Sequence, residues 1–297
     1  MKEPFDSTSD GFVDDLNVVS QGKNRTELMN RVKEDYMNIE NYLINNKMAI
    51  NPAKTQLMVM ESKSIDDNVS FNIRKDIITN QKAIKILGVT LTADSTFDEH
   101  LWKGKKSMVK TLNAKINHIK TIKPFLTTKA MANVGSSMLN STILYAAAVW
   151  GGTTQQNIDR IQAVQTRGAR MIVNKSWQRN KIKVHRQVLL DQLNWPNVAQ
   201  LIKNTTLNIT KKAINKQSSD QLNNTFKVKK PNHPRQTTSI RLSHDGKLTR
   251  KANVYSAYAS KYYNELPHQL KDPDLTTGQF KKKIKIYCRT QNLLKQH

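Results

Sequence analysis

A chain of 297 residues is long enough for one large or two ordinary domains, and its single cysteine, Cys288, excludes an internal disulfide and a cysteine-based zinc site. The formal net charge of +25 is unevenly placed: residues 1–100 carry 12 basic and 16 acidic side chains, residues 101–297 carry 36 and 7, and Leu101 to Ile158 holds 8 lysines and no acid. So large a one-signed field repels itself, and a polyanion relieves it; nucleic acid is the first candidate and an anionic membrane surface the second.

The chain opens on Met1 to Asp10, which lacks the apolar run of a secretory signal. Phe12-Val13-Asp14-Asp15 follows, two adjacent carboxylates between short apolar flanks, predicted at the tip of a tight hairpin where aspartate tolerates turn geometry. Such a pair is either a solvated turn or a Mg²⁺ site of the kind phosphoryl-transfer enzymes use, magnesium preferring hard oxygen ligands. Asn24 with Glu27 forms a capping-box signature, and Leu28, Val32, Tyr36, Ile39 and Leu43 recur at helical spacing, predicting an amphipathic helix over 25–46. Asn51-Pro52 ends it. Strands are predicted at Gln56 to Met60, Val69 to Ile73 and Ala83 to Leu91, so residues 1–95 form a small α+β unit.

Helical spacing then dominates: Trp102 to Ile119, Thr127 to Val149, Gln156 to Val173 and Val184 to Ile214, with helix starts at Thr128 and Thr153 or Thr154 and breaks or first turns at Pro124 and Pro196. The uncharged stretch between Lys129 and Asp159 holds too many polar side chains for a membrane span and reads as a buried helix, with Trp150 as a core anchor rather than a base-stacking platform. Residues 215–253 are polar and basic, a linker or nucleic-acid-facing loop. Helices from Val254 to Asn264 and Gln279 to Tyr287, joined by the Leu266-Pro267 turn, complete a C-terminal segment over 254–297. Cations offered to phosphates are Lys103, Lys105, Lys106, Lys110, Lys115, Lys120 and Lys123 in the 96–214 region, and Lys227, Lys229, Lys230 and Arg235 in the basic loop.

These landmarks resemble, in order and approximate spacing over most of residues 12–287, the C-terminal part of a reverse transcriptase from a non-LTR (LINE-type, jockey-like) retrotransposon. Phe12-Val13-Asp14-Asp15 is similar to the family's aromatic-x-Asp-Asp box, and Asn51-Pro52-Ala53-Lys54-Thr55 to its Asn-Pro-x-Lys-Thr segment. Ile86-Leu87-Gly88-Val89 resembles the primer-grip element. Ala148-Val149-Trp150-Gly151, Ile158-Asp159-Arg160-Ile161-Gln162 and Gln165-Thr166-Arg167 resemble the helical region beyond the polymerase core. Tyr263-Asn264-Glu265-Leu266-Pro267 with Phe280-Lys281 is similar to the terminal Trp-Asn-x-Leu-Pro…Phe-Lys pattern, with tyrosine where tryptophan is usual.

The resemblance implies an α+β fold: a partial polymerase palm (catalytic hairpin, helix, short antiparallel strands) followed by a mostly helical thumb and C-terminal region. Asp14 would bind catalytic Mg²⁺ with Asp15 beside it. Lys54 would steady the leaving pyrophosphate, its alternative being a surface lysine, and Leu87 and Gly88 would place the primer backbone. It implies an RNA template, a DNA primer or an RNA–DNA hybrid as partners, no membrane, and an intracellular setting, nuclear or in a cytoplasmic ribonucleoprotein. Polymerases of this class need a further aspartate on an upstream palm strand, and only eleven residues precede Phe12, so a truncated reverse transcriptase, inactive alone, is expected. The alternatives are a non-enzymatic, sequence-independent RNA- or DNA-binding module and a structural or membrane-surface protein.

Overall fold

The computed structural model describes residues 8–12, 15–60, 69–73, 75–173, 186–229, 241–243 and 254–290. It combines helices with short two-stranded antiparallel pairs, a mixed α and β architecture, and divides into two compact units: residues 1–85 with 92–95, and residues 86–91 with 96–297.

In the first unit β1 (Thr8–Phe12) pairs with β2 (Asp15–Val19), Phe12 standing opposite Asp15. Helix α1 (Arg25–Asn45) starts where Asn24 Oδ1 accepts the Glu27 N–H at 2.9 Å. The reciprocal half of the capping box reaches one residue further than predicted: Glu27 Oε2 accepts from the Lys23 N–H at 3.0 Å. Of the predicted apolar stripe Ile39 is buried, and Tyr36 meets Phe71 edge-on with ring centroids 5.1 Å apart. Asp35 is buried among these positions, its Oδ2 accepting from the Ser20 hydroxyl at 2.5 Å, so the stripe is narrower than apolar spacing suggests. Residues 56–60 form no strand; they touch the sheet system at one bridge, Leu57 to Asn80, with Val59 N–H held by the Asn80 side chain at 2.9 Å. An asparagine side chain there takes the place of a ladder bond. β3 (Ser70–Ile73) pairs with β4 (Asp76–Thr79).

The predicted strand over 83–91 is instead a hairpin, β5 (Ala83–Ile86) and β6 (Val89–Thr92), turning at Leu87-Gly88. Both turn residues have positive φ, 44° and 84°, the pattern of a type I′ turn whose twist matches the strands it joins.

The second unit is helical. A π-helical turn at Glu99–Lys103 precedes α2 (Met108–Ile122), so the helix predicted from Trp102 begins about a turn and a half later. Helix α3 (Thr128–Gly135) starts at Thr128 as expected, capped by Thr127, whose hydroxyl accepts the Ala130 N–H at 3.3 Å. The predicted 127–149 helix is interrupted twice. A π turn spans Ser136–Asn140 before α4 (Ser141–Leu144), and Ala146 in the left-handed region separates that from α5 (Ala147–Trp150). The π turn coincides with burial of the Asn140 amide, which must find partners away from the helix ladder. Helix α6 (Gln155–Val173) follows, then α7 (Arg186–Gln192) and α8 (Val198–Ile214), separated where Asn194 takes a positive φ beside Trp195-Pro196.

Residues 215–253 were expected as linker or loop. Their described part holds a short helix α9 (Asp220–Asn223) and β7 (Lys227–Lys229), which pairs with β8 (Arg241–Ser243). Helices α10 (Tyr255–Asn264) and α11 (Thr277–Thr290) end the described chain. α8 ties the unit together: Val198, Leu201 and Ile202 enter a core with Leu112, Leu139, Trp150 and Ile161, while Leu207 and Ala213 enter a second with Phe226, Tyr263, Phe280 and Ile284. No described helix is long and apolar enough to cross a membrane.

Candidate nucleic-acid interface and the aspartate hairpin

The hairpin places Asp15, exposed, at the first position of β2; Asp14 lies outside the described residues. Lys54 closes the 3₁₀ turn Pro52–Lys54, which Asn51 caps by accepting the Ala53 N–H at 3.1 Å. Asp15 and Lys54 share no ion pair among the described residues. Nor does any group of three His, Cys, Asp or Glu among them have the arrangement to hold a metal ion.

Leu87 is half exposed, and its carbonyl accepts from the Tyr145 hydroxyl. A side chain at Gly88 would meet the Tyr145 ring at 3.4 Å in a conformation that L residues rarely adopt. The turn is therefore covered by one tyrosine and strained at one leucine.

The lysines offered to phosphates fall into two groups. Lys105, Lys106, Lys110 and Lys120 are exposed and make no ion pair among the described residues, and Lys129 joins them. The others have internal work. Lys103 pairs with Asp98 at 2.9 Å, while Asn157 Nδ2 donates to the other carboxylate oxygen at 2.8 Å. The Asn157 hydrogen bond first, then Lys103, holds the Asp98 carboxyl below its ordinary range. Lys115 Nζ donates to Thr142 Oγ1 and to the Met138 carbonyl, and Lys123 donates to the Met171 carbonyl near the end of α6, where a cation meets the negative end of the helix. Lys227 is exposed, and Lys229 lies in β7; Lys230 and Arg235 lie outside the described residues.

One basic face went unnoticed in the sequence. On α11 Phe280, Ile284 and Cys288 are buried, while Lys281, Lys285 and Arg289, each one position on, repeat at the same four-residue step and stay exposed with Lys282 and Lys283. That recurrence is a legible signal: residues four apart share a helix face.

The remaining motifs are structural. Trp150 is fully buried, its Nε1 donating to the Tyr145 carbonyl at 3.0 Å. Gln162 Nε2 donates to Gln165 Oε1 at 2.8 Å, and Gln165 Nε2 donates to Asn140 Oδ1 at 2.8 Å and to the Pro196 carbonyl at 2.9 Å. Gln162 Oε1 accepts the Val198 N–H at 2.9 Å, so a buried amide chain locks α6 to the start of α8. Asn264 bonds both backbone groups of Leu242 at 2.9 Å, acting as a short stand-in strand beside β8.

No protein-family model matches this chain, and neither the curated proteins nor the solved structures contain a match to it.

Proposed function

We propose that this chain binds RNA and DNA without sequence preference through its helical unit, as part of a reverse-transcriptase-like protein of the non-LTR type. The observation that carries the binding reading is a run of helices from Leu101 to Ile158 without one acidic side chain, on which Lys105, Lys106, Lys110, Lys120 and Lys129 stand exposed. Cations without carboxylate partners release counterions from phosphates, and phosphates carry no sequence information. The α11 face adds Lys281, Lys282, Lys285 and Arg289.

The test is a salt titration of fluorescence anisotropy with unrelated labelled RNA and DNA oligonucleotides. If about six cations neutralise phosphates, affinity falls on the order of a thousandfold between roughly 50 and 200 mM salt, alike for all sequences. Charge reversal at Lys105 and Lys106 reduces the slope. A flat plot, or tight binding to one sequence only, overturns the reading.

The polymerase reading is separate and rests on the order of motifs: the Asp-Asp hairpin, the capped helix after it, the Asn-Pro-x-Lys-Thr turn and the Leu87-Gly88 turn. In that reading this chain contributes palm and thumb to a Mg²⁺-dependent nucleotidyl transfer along an RNA template, with Asp14 and Asp15 at the metal. Primer extension on an RNA template tests it: the chain alone is expected to give no product, and incorporation by wild type that the Asp14→Ala, Asp15→Ala double variant abolishes would overturn that expectation while placing the two carboxylates at the metal.

A further inference from the structure

Phe125 is the most exposed large apolar side chain among the described residues, at 83%. It does not sit on a loose loop. It ends the 3₁₀ turn Lys123–Phe125, whose first turn holds Pro124 with its fixed φ. The turn is tied at its start and closed on itself: Lys123 donates to the Met171 carbonyl, and the Leu126 N–H returns to the Lys123 carbonyl at 3.3 Å. Ile119, about one helical turn before it on α2, is fully buried. A rigid support thus holds an aromatic ring in water. Exposure of one apolar side chain is ordinary by itself; what sets Phe125 apart is that its ring stands open on a hydrogen-bonded turn inside the acid-free run.

The surroundings define that occupant. Exposed Lys120 precedes the ring on α2 and exposed Lys129 follows it on α3, with Thr127 and Thr128 between. No acidic side chain lies within the whole acid-free run. A protein partner needs roughly 800 Å² of surface on each side for a stable contact, and one ring with Leu126 amid lysines and threonines is a poor start for one. A nucleobase needs a single open face. The other aromatics of this region offer less: Trp102 has the Arg160 guanidinium 3.9 Å over its ring, Trp150 is buried, and Tyr145 is engaged at its hydroxyl.

We propose that Phe125 is a stacking platform for an unpaired base of single-stranded nucleic acid, the phosphates on either side of that base lying on Lys120 and Lys129. Stacking is blind to sequence because every base has a π-face, and it discriminates strandedness because a base inside a duplex is already stacked. The inference rests on the nucleic-acid reading above and adds to it a preference for unpaired bases.

Anisotropy with the full chain tests it, using a labelled oligo-dT, a blunt duplex of equal length and vesicles containing anionic lipid. Phe125→Ala should weaken oligo-dT binding about 5- to 100-fold, leave the duplex within about twofold, and leave the salt slope unchanged because no phosphate contact is lost. Phe125→Trp should restore affinity. Lys120→Gln with Lys129→Gln should lower the oligo-dT slope by about 1.4. Circular dichroism melts of each variant confirm the fold, which a surface side chain should not disturb. Oligo-dT affinity unchanged in Phe125→Ala, or lost equally on the duplex, overturns the platform while leaving the binding reading intact. Vesicle binding that depends on Phe125, without any oligonucleotide binding by wild type, overturns both.

Discussion

Lys115 Nζ donates to Thr142 Oγ1 at 2.6 Å and to the Met138 carbonyl at 3.3 Å, joining α2 to the segment around α4. Lys110, five residues earlier on the same helix, is exposed and makes no ion pair among the described residues. The two lysines should therefore separate by assay. Lys115→Ala should lower unfolding free energy by about 1–3 kcal/mol in urea denaturation, since a half-buried charged donor is removed from two acceptors. Lys110→Ala should stay within about 0.5 kcal/mol but reduce the log-affinity against log-salt slope by about 1, a change that Lys115→Ala should not produce. Equal stability of the two variants would remove the structural role given to Lys115.

A second expectation concerns the buried amides. Gln165 serves Asn140 and the Pro196 carbonyl at once, and it is fully buried. Gln165→Ala should cost about 2–4 kcal/mol, because it leaves polar groups unpaired and opens a cavity. In a double-mutant cycle with Asn140→Ala the two losses should fall short of additive by at least 0.5 kcal/mol, as groups in one network couple. Additive losses would mean that the 2.8 Å bond contributes nothing of its own.

Gly135 and Gly168 set how closely helices approach. A Cβ at Gly135 would lie 2.5 Å from Ile172 Cδ1 and 2.8 Å from Trp195 Cζ2, and one at Gly168 would lie 2.6 Å from Leu139 Cδ1. The Trp195 ring is fixed by its Nε1 bond to the Ala132 carbonyl at 3.1 Å, so it cannot swing away. Gly135→Ala should destabilise by about 1–3 kcal/mol despite the better helix propensity of alanine. A gain in the midpoint of denaturation would show that the packing relaxes.

The helical body was largely legible in the sequence, since α1, α6, α10 and α11 follow from apolar recurrence at three and four residues. What periodicity could not reveal is where a helix breaks for a tertiary reason. Nothing local marks Ala146 as left-handed, and the π turn at Ser136–Asn140 answers a partner, Gln165, that is twenty-five residues away. The 83–91 hairpin was hidden because a leucine occupies a turn position that usually takes asparagine, aspartate or glycine. At the candidate interface composition could not reveal the division of labour among the lysines: counting them treats Lys120 and Lys123 alike, although of the two only Lys123 caps the end of α6.

The second core predicts a response to alkali. Burial pushes the Tyr263 hydroxyl up to about 12, Tyr255 likewise to about 12, and the Cys288 thiol up to about 11. Each fold-buried group prefers its neutral form, so the unfolded chain loses these protons first as pH rises. The stabilisation is complete below the unfolded values, near 9 for the thiol and 10 for tyrosine, and is lost as pH climbs through the folded ones. The slope is about 1.4 kcal/mol per pH unit for each titrating group. Melting temperature should thus fall steeply between pH 10 and 12. The Tyr263 hydroxyl has no hydrogen-bond partner among the described residues, so Tyr263→Phe should be neutral or slightly stabilising at pH 7 and should shallow the alkaline fall. Melts that are flat from pH 9 to 11.5 would contradict the burial of these groups.

Leu87 offers a test that divides strain from function. Its φ of 44° is a left-handed conformation that costs a branched side chain roughly 1 kcal/mol or more, and it precedes Gly88 at φ 84°. Asparagine at that position would complete the preferred Asn-Gly pair of a type I′ turn. Leu87→Asn should therefore raise stability by about 0.5–1 kcal/mol, read as a higher denaturation midpoint at unchanged m-value, with the backbone carbonyl still placed to accept from Tyr145. Affinity for a primer–template duplex is measured on the same variant. If the leucine side chain, half exposed as it is, serves a bound primer, the stabilised variant should bind that duplex more weakly at the same salt slope. If the turn contributes only its backbone, affinity stays as in wild type. A loss of stability would instead show that the leucine side chain holds the turn by contacts that outweigh its strain.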